Sequence, residues 1–219
     1  ILNMVLLFIK QVSMVLFPTL RLANEDEQAK IFFNVKNILY IILPIVYIFY
    51  IPGKAILSYW LPQYTESLNI LSITLPICLY DAKMQILGNT YFKVLREEKR
   101  LLVINIVAML ISFITSLFFG YVLKNISLIV VGLVMSIIIR SIYSEYYLNR
   151  IYKSRDNDVK KTICDLIITL LFMLIASYLN DISCEIIIIL AYVIFLLVNK
   201  QDTRNVIEYI REKLVVKLK

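Results

Sequence analysis

Histidine is missing from all 219 residues, which removes the side chain most used as a general base and metal ligand near neutral pH. The three cysteines, Cys78, Cys164 and Cys184, stand apart with no CxxC pair. Neither a zinc site nor a disulfide framework is implied, and each reads as a small buried hydrophobe. The four glycines, Gly53, Gly88, Gly120 and Gly132, build no phosphate-cradling loop. Charge is scarce as well. Only 18% of residues are charged, against about 25% in soluble domains.

What fills the chain is apolar. Hydrophobic residues make up 60% of it, and the mean hydropathy is +0.79. The net charge of +7 would suit nucleic acid, but the charges sit in short loops between apolar runs, the pattern of membrane topology. The expected fold is therefore an all-α integral membrane protein, a polytopic bundle of about seven transmembrane helices. The runs fall at about 1–20, 38–57, 68–92, 101–123, 126–148, 162–179 and 183–198. They form one bundle over 1–199, followed by a cytoplasmic amphipathic tail over 200–219. In that tail Val206, Ile207, Ile210 and Leu214 oppose Arg204, Glu208, Arg211 and Glu212, which suits a helix lying on the membrane surface. The chain opens on Ile1 inside an apolar run with no basic region ahead of it, and so reads as a piece of a longer protein rather than one starting with a signal peptide.

Of the 23 Lys and Arg, Lys54 and Lys124 fall on one side of these spans, Lys10, Lys83 and Arg140 fall inside them, and the rest lie on the other side. The crowded side, with loops at 21–37, 93–100 and 149–161 and the C-terminal tail, is expected in the cytoplasm. The run 68–92 is the centre of the pattern. Its 25 residues would rise about 37 Å as a helix, yet its middle carries Pro76, Asp81, Lys83 and Gln85. An ionised group facing hydrocarbon costs at least ~2.5–3.5 kcal/mol, so this helix must face a polar interior.

Lys10, Lys83 and Arg140 are thus candidates for a cationic cavity, with Asn3 seven residues from Lys10 on the same helical face. Asp81 is the one mid-span acid, a coupling site or an ion-pair partner; Asp81, Gln85 and Gly88 make a stripe at i, i+4, i+7. The plainer alternative is that Asp81 pairs with one cation while Arg140 and Lys83 snorkel to the interface. Asp81 and Lys83, two apart, point to opposite faces. Glu145 and Asp165 are expected in local pairs near the cytoplasmic ends, such as Lys161 with Asp165. Asn105, Ser112 and Ser116 share one stripe, and Gly132, Ser136, Arg140, Tyr143, Ser144 and Tyr147 another. Pro44 and Pro76 should bend their helices.

The segment VLFPTLRLANEDEQAK, the following NILYIILPIVYIF, and then QYTESLNILSITLPICLYDAKMQILGNTYFKVLREEKR resemble a stretch of polysaccharide exporters. Tyr64, Leu68, Ile70, Leu71, Pro76, Leu87, Gly88, Asn89 and Tyr91 carry the likeness. The chain resembles the C-terminal half of an O-antigen or polysaccharide flippase of the multidrug/oligosaccharidyl-lipid/polysaccharide superfamily. That resemblance implies a lobe facing a central cavity, a missing N-terminal lobe of the same chain, and a place in the bacterial cytoplasmic membrane with the C-terminus inside. Its implied partners are membrane lipids and a polyprenyl-pyrophosphate-linked oligosaccharide, moved from the cytoplasmic to the outer leaflet. Lys10, Arg140 and Lys83 would attract the pyrophosphate; no cofactor, metal or nucleic acid is implied. A cation-coupled multidrug exporter of the same fold, using Asp81, is the alternative. An enzyme such as a polymerase or acyltransferase would need a long outer loop or a catalytic constellation, and neither is visible.

Overall fold

A computed structural model of the chain describes residues 2–64, 68, 70–152, 157–178 and 182–217, and no β-strand occurs among them. The first helix, α1, spans Leu2–Leu22. Two residues later α2 begins, running Glu25–Ile42. Glu25, Asp26 and Glu27 occupy its first turn, where the helix dipole favours negative charge. The Glu27 carboxylate also accepts the Asn24 backbone N–H at 3.3 Å. The loop expected over 21–37 is therefore mostly helix, with only Ala23 and Asn24 left as a connection.

Pro44, which lacks an N–H, follows α2 and tightens the chain into a 3-10 turn at Leu43–Tyr47. Helix α3, Tyr50–Trp60, then passes straight through Ile51-Pro52-Gly53, which had read as a stop. Pro52 sits in the first turn, where its missing N–H would have had no helical partner. The apolar run 38–57 is thus divided among three helical pieces.

The central element is a rod. Helix α4, Leu71–Lys83, continues through a π-helical turn, Met84–Asn89, into α5, Thr90–Val94. It ends where Arg96 takes a positive φ of 58° and the Glu97 N–H returns to the Phe92 carbonyl at 2.9 Å. Helix α6, Glu98–Phe118, runs on into a second π turn, Phe119–Leu123. Lys124 then adopts a left-handed conformation, φ 48°. The Asn125 side chain caps α7, Ile126–Ile151, by accepting the Ser127 N–H at 3.0 Å. The remaining helices are α8, Asn157–Tyr178, α9, Ile182–Val198, and α10, Lys200–Lys217. Between α9 and α10 the chain turns by 84°.

The rod packs against α1 on one flank and against α7 and α8 on the others, while α6 lies against α7. Gly132 on α7 permits that last approach: a Cβ there would meet the Thr115 Oγ1 at 3.0 Å. Aromatic rings fill the core at both ends of the rod. Phe32 and Tyr91 meet edge to face, and Tyr47 stacks on Phe172 with ring centres 4.1 Å apart.

The outer face of α6 is wholly apolar and exposed, with Leu102, Ile106, Met109, Phe113, Ile114 and Leu117 on it. A continuous exposed apolar face of this extent suits contact with lipid. Among the described residues three stretches, Glu25–Tyr47, Glu98–Leu123 and Ile126–Ile151, are long and apolar enough to cross a membrane, and a fourth is added if the bent α9–α10 pair is one span. That is a coarser result than the seven spans expected.

Candidate functional site: a polar seam and an open groove

The π turn re-phases the rod. The wider turn at Met84–Asn89 shifts the phase of the residues within it, so regular helical spacing no longer predicts the face of each one. Asp81 turns to α7 and pairs with Arg140. Gly88 also faces α7, where a Cβ would lie 3.0 Å from the Ser144 Oγ. Gln85, expected on their stripe, instead lines the space between the rod and α1 with Lys10 and Ser13, and its backbone carbonyl accepts the Ser13 hydroxyl at 3.2 Å and, within the rod, the Thr90 hydroxyl at 3.0 Å. The Asp81–Gln85–Gly88 stripe is therefore split between two neighbours.

Lys83 points to α8. Its ammonium meets the Asp165 carboxylate at 2.5 Å, and both side chains are over 90% buried. Lys83 does not snorkel, and the expected Lys161–Asp165 pair does not form. Asp165 lies on the face of α8 that also buries Thr169, Phe172 and Ala176, so it turns inward while Lys161 reaches Asp202 of α10 at 2.8 Å and Asn37 of α2 at 2.8 Å. Thr169 donates to the Asp165 carbonyl and accepts the Tyr47 hydroxyl at 3.0 Å. The Tyr80 hydroxyl lies 3.3 Å from the same Thr169 oxygen.

A second buried pair joins α2 to α7. Lys36 contacts Glu145 at 3.1 Å and donates to the Asn149 side chain at 2.9 Å. Asp81 is accordingly not the only acid partner available to a buried cation. Lys36, placed in a loop by its charge, is only 3% exposed. Its signal was present, since Phe32, Lys36, Leu39 and Tyr40 recur at helical spacing. In the same way Asp165, Thr169, Phe172 and Ala176 follow i, i+4, i+7, i+11.

These pairs differ in setting. Asp81 and Arg140 keep about a quarter of their side-chain surface exposed, 24% and 23%, whereas Lys83 and Asp165 are shut away. In a dry interior an unpaired charge is strongly destabilising, so buried cations require such partners. The seam Lys36–Glu145 and Lys83–Asp165 is electrically neutral and ties four helices together.

On the other flank the rod and α1 enclose a groove of about 370 Å³, lined by Lys10, Ser13, Met14, Phe17, Gln85, Asn89, Thr90 and Lys93. Asn89 donates to the Gln85 side chain at 2.9 Å across its floor. Lys10 and Lys93 are both exposed, and neither makes an ion pair among the described residues. Its volume lies in the range of small-ligand sites. Of the candidates, the groove brings together Lys10 and Gln85; Arg140, Asp81 and Lys83 belong to the paired seam, and the Asn3 side chain lies outside the described residues. Tyr143 is exposed, while Tyr147 stacks on Phe92 and carries the Arg100 guanidinium over its ring at 4.6 Å. Lys93, counted with the cytoplasmic loop, is the charged groove residue that the sequence did not single out, and Met14, Phe17 and Thr90 were not singled out either.

No protein-family model matches the chain, and no curated protein and no solved structure is significantly similar to it.

Proposed function

We propose that this chain is a membrane-transport lobe that moves an anionic lipid-linked oligosaccharide across the bilayer, with the groove between α1 and the rod receiving the negatively charged head group. In this reading the seven apolar runs are spans, a second lobe faces the groove, and the crowded Lys/Arg side lies in the cytoplasm. The observation that carries it is a contrast in pairing. The cations of the seam are neutralised by Glu145, Asp165 or Asp81, while Lys10 and Lys93, at one open groove, make no ion pair among the described residues. Met14 and Phe17 beside them suit an amphiphile.

The cationic set thereby narrows from Lys10, Lys83 and Arg140 to Lys10 joined by Lys93. Lys93 also sits at the rod end that the charge pattern assigns to the cytoplasm, where such a substrate would enter. Export of cationic drugs through Asp81 fits less well, because Arg140 neutralises Asp81 and both groove charges would repel the drug.

The test is Lys10→Glu and Lys93→Glu, singly and together, in the full-length gene in its host, scored by surface polysaccharide. Each change is expected to lower export and the pair to abolish it. Normal export by the double variant, at normal protein level, would overturn the proposal.

A further inference from the structure

Between the two fully buried ion pairs lies a small internal cavity of about 10 Å³, lined by Lys83, Met84, Leu87, Gly88, Ser141, Ser144 and Glu145. That is about the probe-occupied volume one water molecule needs. Its polar lining comes from Lys83, Glu145 and two serines, Ser141 and Ser144. Ser144 is 2% exposed, and its hydroxyl has no hydrogen-bond partner among the described residues. Lys83 has three N–H donors, and its one short contact is with Asp165. Glu145 has two carboxylate oxygens, one of them 3.1 Å from Lys36.

We infer that a water molecule is bound in this cavity, hydrogen-bonded to Ser144 and bridging the Lys83 ammonium and the Glu145 carboxylate. It joins the Lys36–Glu145 and Lys83–Asp165 pairs into one network across α2, α7, α4 and α8. The lining selects a neutral ligand that both donates and accepts. The ammonium repels a metal cation, and the carboxylate repels an anion. The π turn supplies the room, because it presents Gly88 rather than a side chain to α7. A Cβ at position 88 would come within 2.6 Å of the Met84 sulfur and 3.0 Å of the Ser144 oxygen. The water site does not depend on what the groove on the opposite flank binds.

Ser144→Ala gives a test in which the sign decides. A buried hydroxyl with no partner destabilises a protein, so removing it would leave the melting temperature unchanged or higher. A hydroxyl that anchors a bridging water is needed, and its removal lowers the melting temperature, here by about 2–4 °C. A drop in the purified protein supports the site; no change or a rise overturns it. Cryo-electron microscopy at a resolution that shows ordered water gives the second measurement. Density within hydrogen-bond distance of the Ser144 oxygen is expected in the wild type and not in Ser144→Ala, and a wild-type map without it overturns the inference. Should sodium chloride raise the wild-type melting temperature relative to choline chloride, and fail to do so in Ser144→Ala, the occupant is a cation and the inference is wrong.

Discussion

Breaking the Lys83–Asp165 pair is the most direct probe of how the bundle is held. Lys83→Met keeps the length and apolar stem of the side chain but leaves the Asp165 carboxylate without its cation. Both side chains are over 90% buried, so solvent screening does little to relieve the charge left behind. Removing one partner of such a pair costs about 3–5 kcal/mol. At roughly 2–4 °C per kcal/mol for a chain of this size, the melting temperature should fall by about 6–20 °C. Adding Asp165→Leu removes the stranded charge, and the double variant should recover most of the loss, since apolar replacement of a buried pair is often neutral or better. Arg140→Met should cost less than Lys83→Met, because Asp81 is 24% exposed and partly solvated. The assay is a thermal-shift series on protein purified in one detergent. The reasoning fails if Lys83→Met melts within about 2 °C of the wild type, a shift smaller than one hydrogen bond would give. It fails equally if the double variant is no more stable than Lys83→Met.

Two further outcomes follow from the packing. Gly88→Ala should destabilise by about 1–3 kcal/mol, because its Cβ would press on Met84 and Ser144; a melting temperature equal to that of the wild type would show that the two helices can part at no cost. Asp202→Asn removes the charge that holds Lys161 to α10, and amide hydrogen exchange over residues 200–209 should accelerate while exchange in α4 stays unchanged.

The helical bundle was legible from composition and periodicity, because apolar runs separated by charged segments leave few other ways to satisfy backbone polar groups in lipid. The central place of 68–92 was legible for the same reason, since its buried charges require neighbours. The partners were not. Choosing Asp165 over Asp81 for Lys83 depends on which face of α8 meets the rod, a tertiary fact that local spacing does not contain. The π turn was equally hidden. Regular spacing put Gln85 with Asp81, whereas in the structure Gln85 lies inside the irregular turn and lines the groove beside α1 while Asp81 pairs with Arg140 of α7. Lys36 was misplaced because its charge was weighed above its stripe, Phe32, Lys36 and Tyr40 being one helical turn apart.

The distribution of ion pairs has a mechanical consequence. Among the described residues the fully buried pairs join α2 to α7 and α4 to α8, while α1 contributes no ion pair and meets the rod through apolar packing of Leu16 and Leu20 and through Ser13 on the Gln85 backbone carbonyl. Shearing α1 along the rod gives up a hydrogen bond of about 1 kcal/mol and disturbs apolar contacts, whereas parting the other helices strands charge in a dry interior. One flank of the rod is thus locked by buried charge and the other is held by apolar packing and a hydrogen bond, so the wall of the groove that α1 forms is the one that can shift without stranding a charge.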